Sequence, residues 1–145
     1  MSSEISNFRG DYWFLSNFFP CKLAFGGKIY ESAEHLYQAS KATNDADHEF
    51  VRNAMSAAKA KRAGGRIAIR DDWEEVKEGI MLDILRQKFS SPTLKSRLLD
   101  TGDTQLVEEN SWGDVEWGCV TVDGRREGKN LLGKLLMRVR EECQG

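Results

Sequence analysis

The strongest constraint on the fold is a long amphipathic segment that runs from Trp73 to about Phe89. Its apolar residues recur at helical spacing and predict one wide buried face. Asp72 precedes the segment as a candidate N-cap, and Ser90-Ser91-Pro92 ends it and starts another helix. The segment therefore predicts the clearest helix of the chain, and its buried positions would be Trp73, Val76, Ile80, Met81, Ile84, Leu85 and Phe89.

Shorter helices and a few short strands account for the remaining pattern. The first 30 residues read as extended structure, and two strand-like runs that flank Gly26-Gly27 predict a β-hairpin. Helices are predicted from about Ala33 to Lys41, from Asp45 to about Ala63, and from about Asn130 to Glu142. Because the strands do not alternate with the helices, the expected class is α+β, helix-dominated, with a small β-hairpin or sheet.

Length and composition fit one domain in a reducing compartment. The chain has 145 residues, of which 40% are hydrophobic and 30% charged, and no linker or repeat divides it. We therefore expect a single domain over residues 1–145. Three scattered cysteines do not suggest a disulfide framework, no apolar run reaches the roughly 20 residues of a membrane helix, and no signal-peptide pattern begins the chain. These features predict a cytoplasmic protein that has no membrane partner.

Charge and metal-binding residues exclude further classes of function. The chain has 21 Lys and Arg residues against 23 Asp and Glu residues, and the net charge of −2 argues against bulk attraction to nucleic acid or to anionic membranes. His35 and His48 are the only histidines, and neither CxxC nor HxxxH spacing occurs. We therefore expect no metal site, and any contact with phosphate must come from a local cluster of cations.

One such cluster lies between Arg52 and Arg70, a segment without acidic residues in which Gly64-Gly65 occurs. Backbone N–H groups at a glycine turn and cations beside it can form a phosphate cradle. The alternative is a solvated helix face that ends in an ordinary C-cap. The residues alone leave both interpretations open for the basic set Arg52, Lys59, Lys61, Arg62, Arg66 and Arg70.

Residues 109–118 have a composition that is poor for a helix and poor for a core, since two tryptophans, two glycines and three acids occur in ten positions. Loops of this kind are often functional, because a scaffold must support their ordering. Trp112 or Trp117 could stack on a nucleobase, and Asp114 could act on a sugar or a water molecule. The alternative is a structural loop whose tryptophans fill the core.

The helix predicted after residue 32 carries another candidate. Glu34, Gln38 and Lys41 recur at positions i, i+4 and i+7 and form a polar stripe beside an apolar face. Glu34 in the first turn can serve as a charged carboxylate, whereas a lone histidine such as His35 is more often structural. Together with the tryptophans and the basic segment, this stripe indicates a phosphorylated, nucleoside-like ligand.

Six groups of residues occur in order between about residues 14 and 140. They are Leu15-Ser16-Asn17-Phe18 with Pro20; Tyr30-Glu31-Ser32-Ala33-Glu34-His35-Leu36-Tyr37-Gln38 with Lys41; Asp72-Trp73 with Lys77, Met81 and Lys88-Phe89; Leu106-Val107-Glu108 with Asn110; Asp114 with Trp117-Gly118; and Gly128-Lys129-Asn130-Leu131-Leu132-Gly133 with Leu136-Met137 and Arg140. In this order they resemble the NADAR family, also described as the YbiA-like N-glycosidases. The resemblance covers nearly the whole chain.

The resemblance implies a compact, mainly helical α+β domain that cleaves N-glycosidic bonds without a metal or another cofactor. Two substrate types are implied. One is the pair of early, phosphoribosylated intermediates of riboflavin synthesis, and the other is ADP-ribose attached to guanine bases of DNA or RNA. The partner is therefore a small phosphoribosyl or ADP-ribosyl substrate, or ADP-ribosylated nucleic acid. The alternative is a non-catalytic module that binds ADP-ribose or a nucleotide.

The family match also selects residues. It implies pocket positions at Glu34, Trp73, Asp114 and Trp117, with Asn17, Gly118 and Asn130 as supports. We expect the two carboxylates to divide the stabilisation of an oxocarbenium-like state and the proton transfers, without an assignment of acid and base. Phosphate would be held by Lys41, Arg62, Arg66 and Arg70.

One position departs from the family pattern. Many relatives carry another glycine shortly after the Trp-Gly pair, whereas Gly118 is followed here by Cys119-Val120. The departure affects the conformation of this loop, and with it the choice of substrate, more than the chemistry.

Overall fold

The computed structural model describes residues 3–145, and helices dominate its secondary structure. Helical residues make up 47% and strand residues 16%, so the predicted α+β class is confirmed. No helix within residues 3–145 is long and apolar enough to cross a membrane. In chain order the elements are β1 (Glu4–Ile5), a 3₁₀ helix (Gly10–Leu15), β2 (Pro20–Phe25), β3 (Lys28–Ser32), α1 (Ala33–Ala39), α2 (Asp45–Arg52), α3 (Ala57–Gly64), α4 (Trp73–Lys88), α5 (Pro92–Leu99), β4 (Gln105–Leu106), β5 (Val120–Val122), β6 (Arg125–Glu127) and α6 (Leu131–Gln144).

Two compact units make up the described chain. Residues 17–88 form the central unit, which contains the β2–β3 hairpin and helices α1 to α4. Residues 3–16 and 89–145 form the terminal unit, which contains the remaining elements. That both units act as one domain, as the sequence led us to expect, stays a prediction.

The β2–β3 hairpin of the central unit confirms the prediction made at Gly26-Gly27. The strands are antiparallel, with Phe25 opposite Lys28. Both glycines have a left-handed backbone, at φ angles of 59° and 80°, which the tight turn of a two-residue hairpin requires. The side chain of Gln87 on α4 acts as a further strand partner, since it accepts from the N–H of Ala24 at 2.6 Å and donates to its carbonyl at 2.8 Å.

Helix α1 begins where Ser32 caps it, as predicted. The Ser32 hydroxyl accepts from the backbone N–H of His35 at 3.1 Å. The His35 ring lies 3.0 Å from the Ala54 carbonyl through Nε2 and 2.7 Å from Ser32 Oγ through Nδ1. Because a carbonyl only accepts, Nε2 is the donor and Nδ1 accepts from the serine hydroxyl. His35 is therefore a buried structural histidine that joins α1 to the segment after α2.

The single helix predicted from Asp45 to Ala63 is wrong, because two helices occupy this range. Helix α2 ends at Arg52 with Asn53 as its C-cap, and the hydroxyl of Ser56 caps α3 by accepting from the N–H of Lys59 at 3.1 Å. Asn and Ser side chains compete for backbone hydrogen bonds and favour helix ends, a preference that the periodicity of the segment does not reveal. Gly64 also lies inside α3 rather than beyond its end.

Helix α4 confirms the helix predicted from Trp73 to about Phe89. It buries Trp73, Met81, Ile84 and Leu85 but leaves Val76 and Ile80 half-buried. The proposed cap is not observed as predicted. The Asp72 carboxylate binds the Arg70 guanidinium at 2.6 and 2.9 Å, whereas the Asp72 carbonyl accepts from the N–H of Val76.

In the terminal unit, the expectation of extended structure fails at Gly10–Leu15, which forms a 3₁₀ helix. Aromatic residues favour strands only where a strand partner is present, and packing decides otherwise here. Phe14 packs edge-on against Phe89, with ring centroids 6.4 Å apart, and the Arg97 guanidinium lies 4.3 Å from the Phe14 centroid.

Short strands and α6 complete the terminal unit. Strand β1 pairs in parallel with β4, and β5 pairs with β6 through a turn at Asp123-Gly124. Arg126 on β6 binds Glu4 on β1 through two hydrogen bonds of 2.6 and 2.8 Å. Helix α6 buries Leu132, Leu136 and Val139, and therefore confirms the last predicted helix.

Candidate active site

The central unit holds the Glu34 carboxylate in a buried position on the first turn of α1. The residue is only 7% exposed. Its backbone N–H donates to the carbonyl of Asn17 at 3.0 Å, and its Oε2 atom accepts from Nε2 of Gln38 at 2.7 Å. Gln38 therefore orients the carboxylate from one helical turn away. The polar stripe predicted from the sequence is buried at its first two positions, Glu34 and Gln38.

Gln38 is itself held by the neighbouring helix α3. It is 5% exposed, and its Oε1 atom has no hydrogen-bond partner among residues 3–145. A Cβ atom at Gly64 would overlap Oε1 and lie 2.8 Å from Cδ of Gln38. The absence of a side chain at Gly64 therefore lets Gln38 reach Glu34. Sequence reasoning placed Gln38 in the stripe but not among the site residues, although the i, i+4 spacing from Glu34 was a usable signal.

Replacing Gly64 by Ala is expected to reduce turnover by about 10- to 100-fold, because the new methyl group displaces Gln38 and thereby misplaces the Glu34 carboxylate. The free energy of unfolding should fall by about 1–2 kcal/mol, as is usual for overpacking. Activity assays and thermal unfolding measure both effects. Gly65→Ala is the matched control, since a Cβ there would make only ordinary contact, 3.4 Å from the Arg62 carbonyl. Equal activity of the two variants would contradict the positioning role of Gln38.

Asn17, at the start of the central unit, carries a second buried side-chain amide and is joined to Glu34 through its backbone. Asn17, whose carbonyl accepts from Glu34, has its Nδ2 atom 3.8 Å from the sulfur of Met81, and its Oδ1 atom has no partner among the described residues. Asn17 and Gln38 each form a hydrogen bond with Glu34, and each carries a buried side-chain oxygen that has no partner among the described residues. Acceptors of this kind suit a ligand that presents hydroxyl or amino donors.

An aromatic pair lies beside the remaining member of the stripe. Tyr37 and Trp73 pack with their ring centroids 5.1 Å apart at a tilt of 55°. The Lys41 ammonium is 5.7 Å from the Tyr37 centroid and 5.8 Å from the Trp73 centroid. This arrangement combines aromatic surface with a cation, as recognition of a base and a phosphate requires.

The structure does not bring all predicted phosphate-binding residues together. Arg62 and Arg66 line a groove on the exposed side of α3, and the lining of that groove includes neither Glu34 nor Lys41. The opposite side of α3, which carries Gly64, contacts Gln38. Arg70, the remaining candidate, is bound to Asp72. Lys41 is therefore the predicted phosphate ligand that lies with the aromatic pair.

In the terminal unit, Asp114 organises the loop of residues 110–119. Its Oδ1 atom accepts from the backbone N–H groups of Glu116 at 3.0 Å and Trp117 at 2.9 Å. Asn110 closes the same loop, since it accepts from the N–H of Asp114 at 3.0 Å and donates to the Asp114 carbonyl at 2.9 Å. These bonds fix the backbone at Trp117, which is half-buried, whereas Trp112 is exposed. Asn110 supports the loop that holds Asp114, and the sequence did not single it out as a site residue.

Gly118 and Asn130, which the sequence predicts as supports of the pocket, both contact the backbone near Glu108. A Cβ at Gly118 would overlap the carbonyl and carboxylate of Glu108, so only glycine fits. The Asn130 side chain accepts from the N–H of Glu108 at 2.9 Å and donates to the Leu106 carbonyl at 3.0 Å. The backbone of Asn130 is left-handed, with φ at 52°, where asparagine is more readily accommodated than most residues.

Asp114→Asn separates the two roles open to this carboxylate, because an amide oxygen can still accept the two backbone hydrogen bonds while the charge is lost. The sequence predicts a fall in turnover of about 10²-fold or more if Asp114 does acid–base work. Initial rates measured on folded protein test this, with Asp123→Asn in the exposed β5–β6 turn as control. A rate near that of the unsubstituted protein would assign Asp114 to loop structure alone.

Within residues 3–145, no group of three His, Cys, Asp or Glu side chains comes together in a way that could hold a metal ion. The polar groups described above are carboxylates, amides and cations.

The chain belongs to the NADAR domain family, whose sequence model matches residues 6–144. Among its relatives is the N-glycosidase YbiA of Escherichia coli (strain K12), which is 36% identical over 148 residues, or 98% of this chain and 90% of that protein. The NMR structure of E. coli YbiA superposes with a TM-score of 0.82 and covers 99% of this chain and 87% of that one. The predicted family, and with it the class of N-glycosyl hydrolases, is confirmed.

Another relative is named for a biosynthetic pathway. The riboflavin biosynthesis protein VVA0006 of Vibrio vulnificus (strain YJ016) is 40% identical over 137 residues, which are 92% of this chain. The chain spans only 36% of that protein's length.

Proposed function

We propose that the chain hydrolyses the bond between ribose and a base in a phosphorylated, nucleoside-like substrate, with Glu34 as a carboxylate of the reaction. The observation that carries the proposal is the buried Glu34 side chain, oriented by Gln38 and by a glycine that makes room for Gln38. Burying a carboxylate costs free energy, because the group loses its contacts with water and needs other partners. Packing alone would therefore be served better by an apolar side chain at position 34. We also propose that residues 1–145 act as one domain, since a single family match spans both units.

The chemistry follows from the bond that breaks. The C1′–N bond of the substrate cleaves, its electron pair leaves with the base, and a proton is delivered to that base. The ribose carbon then resembles an oxocarbenium ion, which a nearby carboxylate stabilises until water adds and loses its proton. The hydrogen bond from Gln38 orients the Glu34 carboxylate, which in this position can stabilise the charged sugar or take a proton from water.

Neighbouring groups of the central unit suit the other parts of the substrate. The unpartnered oxygens of Asn17 and Gln38 can accept from ribose hydroxyl groups. Trp73 and Tyr37 can pack against a base, and the ammonium of Lys41, close to both rings, can bind a phosphate.

Phosphoribosylated intermediates of riboflavin synthesis are the first candidate substrates. The names of two relatives support them, since the Vibrio protein and the chloroplastic protein PYRR of Arabidopsis thaliana are both called riboflavin biosynthesis proteins. The second relative is 48% identical over 106 residues, 67% of this chain and 17% of its own length.

ADP-ribose attached to guanine bases of DNA or RNA is the second candidate substrate. The exposed cations Lys59, Arg62 and Arg66 favour it, because they could approach a polynucleotide backbone beside the modified base.

One set of incubations tests the proposal. Purified protein is mixed in turn with a phosphoribosylated riboflavin intermediate and with an oligonucleotide that carries ADP-ribosylated guanine. Free ribose 5-phosphate is expected from the first and free ADP-ribose from the second if both are substrates, and the faster reaction identifies the preferred one. Binding of ADP-ribose without any release of base or sugar would instead identify a non-catalytic module.

A further inference from the structure

A groove of about 580 Å³ lies on the side of α3 that faces away from Gln38. Residues from the end of α2, the following segment and α3 line it. Three of the lining residues are the cations Lys59, Arg62 and Arg66, and all three side chains are exposed.

These three cations are available to a ligand. None of their three side chains forms an ion pair or hydrogen bond with another residue in the range 3–145. Lys59 and Arg62 stand one turn apart on α3, and the N–H of Arg66 donates to the Ala63 carbonyl at 2.9 Å, which continues the helical path. From Lys59 to Arg66 the backbone advances roughly 10 Å at the helical rise per residue. Successive phosphates along a strand fit this row better than one isolated phosphate does.

The groove is positive despite one acidic residue. Among the described residues that line it, Glu49 is the only acid. Its carboxylate binds Arg52 at 2.6 Å and Lys28 at 3.0 Å, and the hydrogen bonds from these two cations lower the pKa of Glu49 to about 2. The charge of Glu49 is therefore balanced by Lys28 and Arg52 and does not neutralise the three cations that line the groove.

Apolar surface completes the groove. Phe50 is 51% exposed and Met55 is 87% exposed, and both belong to the lining. An exposed aromatic ring beside a row of cations is the combination by which proteins bind single-stranded nucleic acid without sequence preference, because every base has a face that can stack. An acidic peptide would match the positive charge of the groove, but its acidic side chains have no aromatic face to stack on the Phe50 ring.

We propose that this groove binds unmodified single-stranded DNA or RNA, with Lys59, Arg62 and Arg66 at successive backbone phosphates and Phe50 stacked on a base. The inference goes beyond the proposed reaction, since it requires neither ADP-ribose nor Glu34.

The test is fluorescence anisotropy of the whole chain with labelled oligothymidylate and oligouridylate at several salt concentrations. Substituting Lys59, Arg62 and Arg66 together by Gln is expected to weaken binding at least about tenfold and to reduce the salt slope by about 2, which is the loss of three phosphate contacts. The matched control replaces Lys22, Lys95 and Arg125 by Gln, which removes the same charge from exposed positions elsewhere. Phe50→Ala should weaken binding several-fold and leave the slope unchanged.

Equal weakening by the two triple variants would overturn the proposal, because it would show bulk charge attraction rather than a site. Equal competition by polyglutamate, or an unchanged affinity of Phe50→Ala, would also overturn it and would indicate a different polyanion. The single variant Arg62→Glu serves if the triple variant fails to fold, and it should weaken binding more than Lys22→Glu.

Glu34→Gln should bind the strand as the unsubstituted protein does. Cleavage of a small phosphoribosyl substrate without strand binding would refute this inference alone, and strand binding without any cleavage would refute the proposed function alone.

Discussion

Glu34→Gln is expected to lower turnover by about 10²-fold or more, the usual contribution of a group that performs acid–base or charge-stabilising work. The substitution keeps the size of the side chain, and the new amide oxygen can still accept from Gln38 Nε2. The buried packing of α1 should therefore survive while the negative charge is lost. The rate of base release under substrate saturation measures the effect, and thermal unfolding verifies that the protein is folded.

Glu31→Gln provides the matched control for this prediction. Glu31 lies three residues before Glu34 and is exposed on β3, so the same chemical change is made outside the candidate site. Its rate should stay within about twofold of the unsubstituted protein, as is usual for surface positions. A folded Glu34→Gln variant with an unchanged rate would remove Glu34 from the mechanism, and another residue would then have to stabilise the charged sugar.

Gly133→Ala is expected to produce the largest loss of stability from a single added methyl group. Gly133 lies in the first turn of α6. A Cβ atom there would overlap the backbone carbonyl of Leu106 on β4 and the side chain of Asn130. The carbonyl cannot rotate away as a side chain could, and Asn130 is already bonded to Leu106 and Glu108. We expect a decrease of about 3 kcal/mol in the free energy of unfolding, and a fall of roughly 10 °C in Tm.

Gly79→Ala is the control, because Gly79 lies inside α4 with nothing within 4 Å of the position that a Cβ would take. Alanine favours a helix over glycine by up to about 1 kcal/mol, so this variant should be more stable than the unsubstituted protein. Opposite shifts in the two denaturation curves would confirm that close approach, rather than helix propensity, requires glycine at position 133. A Gly133→Ala protein of normal stability would show that α6 and β4 can separate without cost.

The elements that could be predicted from the sequence are those that local chemistry specifies. The glycine pair at the β2–β3 turn and the Asp123-Gly124 turn have backbones that other residues rarely adopt, and the β2–β3 hairpin is the one that the sequence predicts correctly. The apolar periodicity of α4 likewise marks a helix whatever its surroundings. The break between α2 and α3 was missed because the periodicity of the segment does not reveal the preference of Asn53 and Ser56 for helix ends.

The candidate site was predicted in part. The resemblance singled out Glu34, and the i, i+4 spacing of Gln38 was a usable signal, but nothing in the sequence indicates that Gly64 makes room for Gln38. The basic segment was visible as a charge run. It divides between a groove lined by Arg62 and Arg66 and an ion pair between Arg70 and Asp72, and the path of the chain after α3 decides this division.

The sequence by itself determined the family, the class of fold, the main turns and the residue types available for chemistry, because each depends on local pattern or on order along the chain. Tertiary structure decided which of those residues are buried and what they touch. It buried Glu34 against Gln38 and left Lys59, Arg62 and Arg66 exposed along one groove. The physical reason is that burial and hydrogen bonding join residues far apart in the chain, such as Gly64 and Gln38, and no local pattern encodes that proximity.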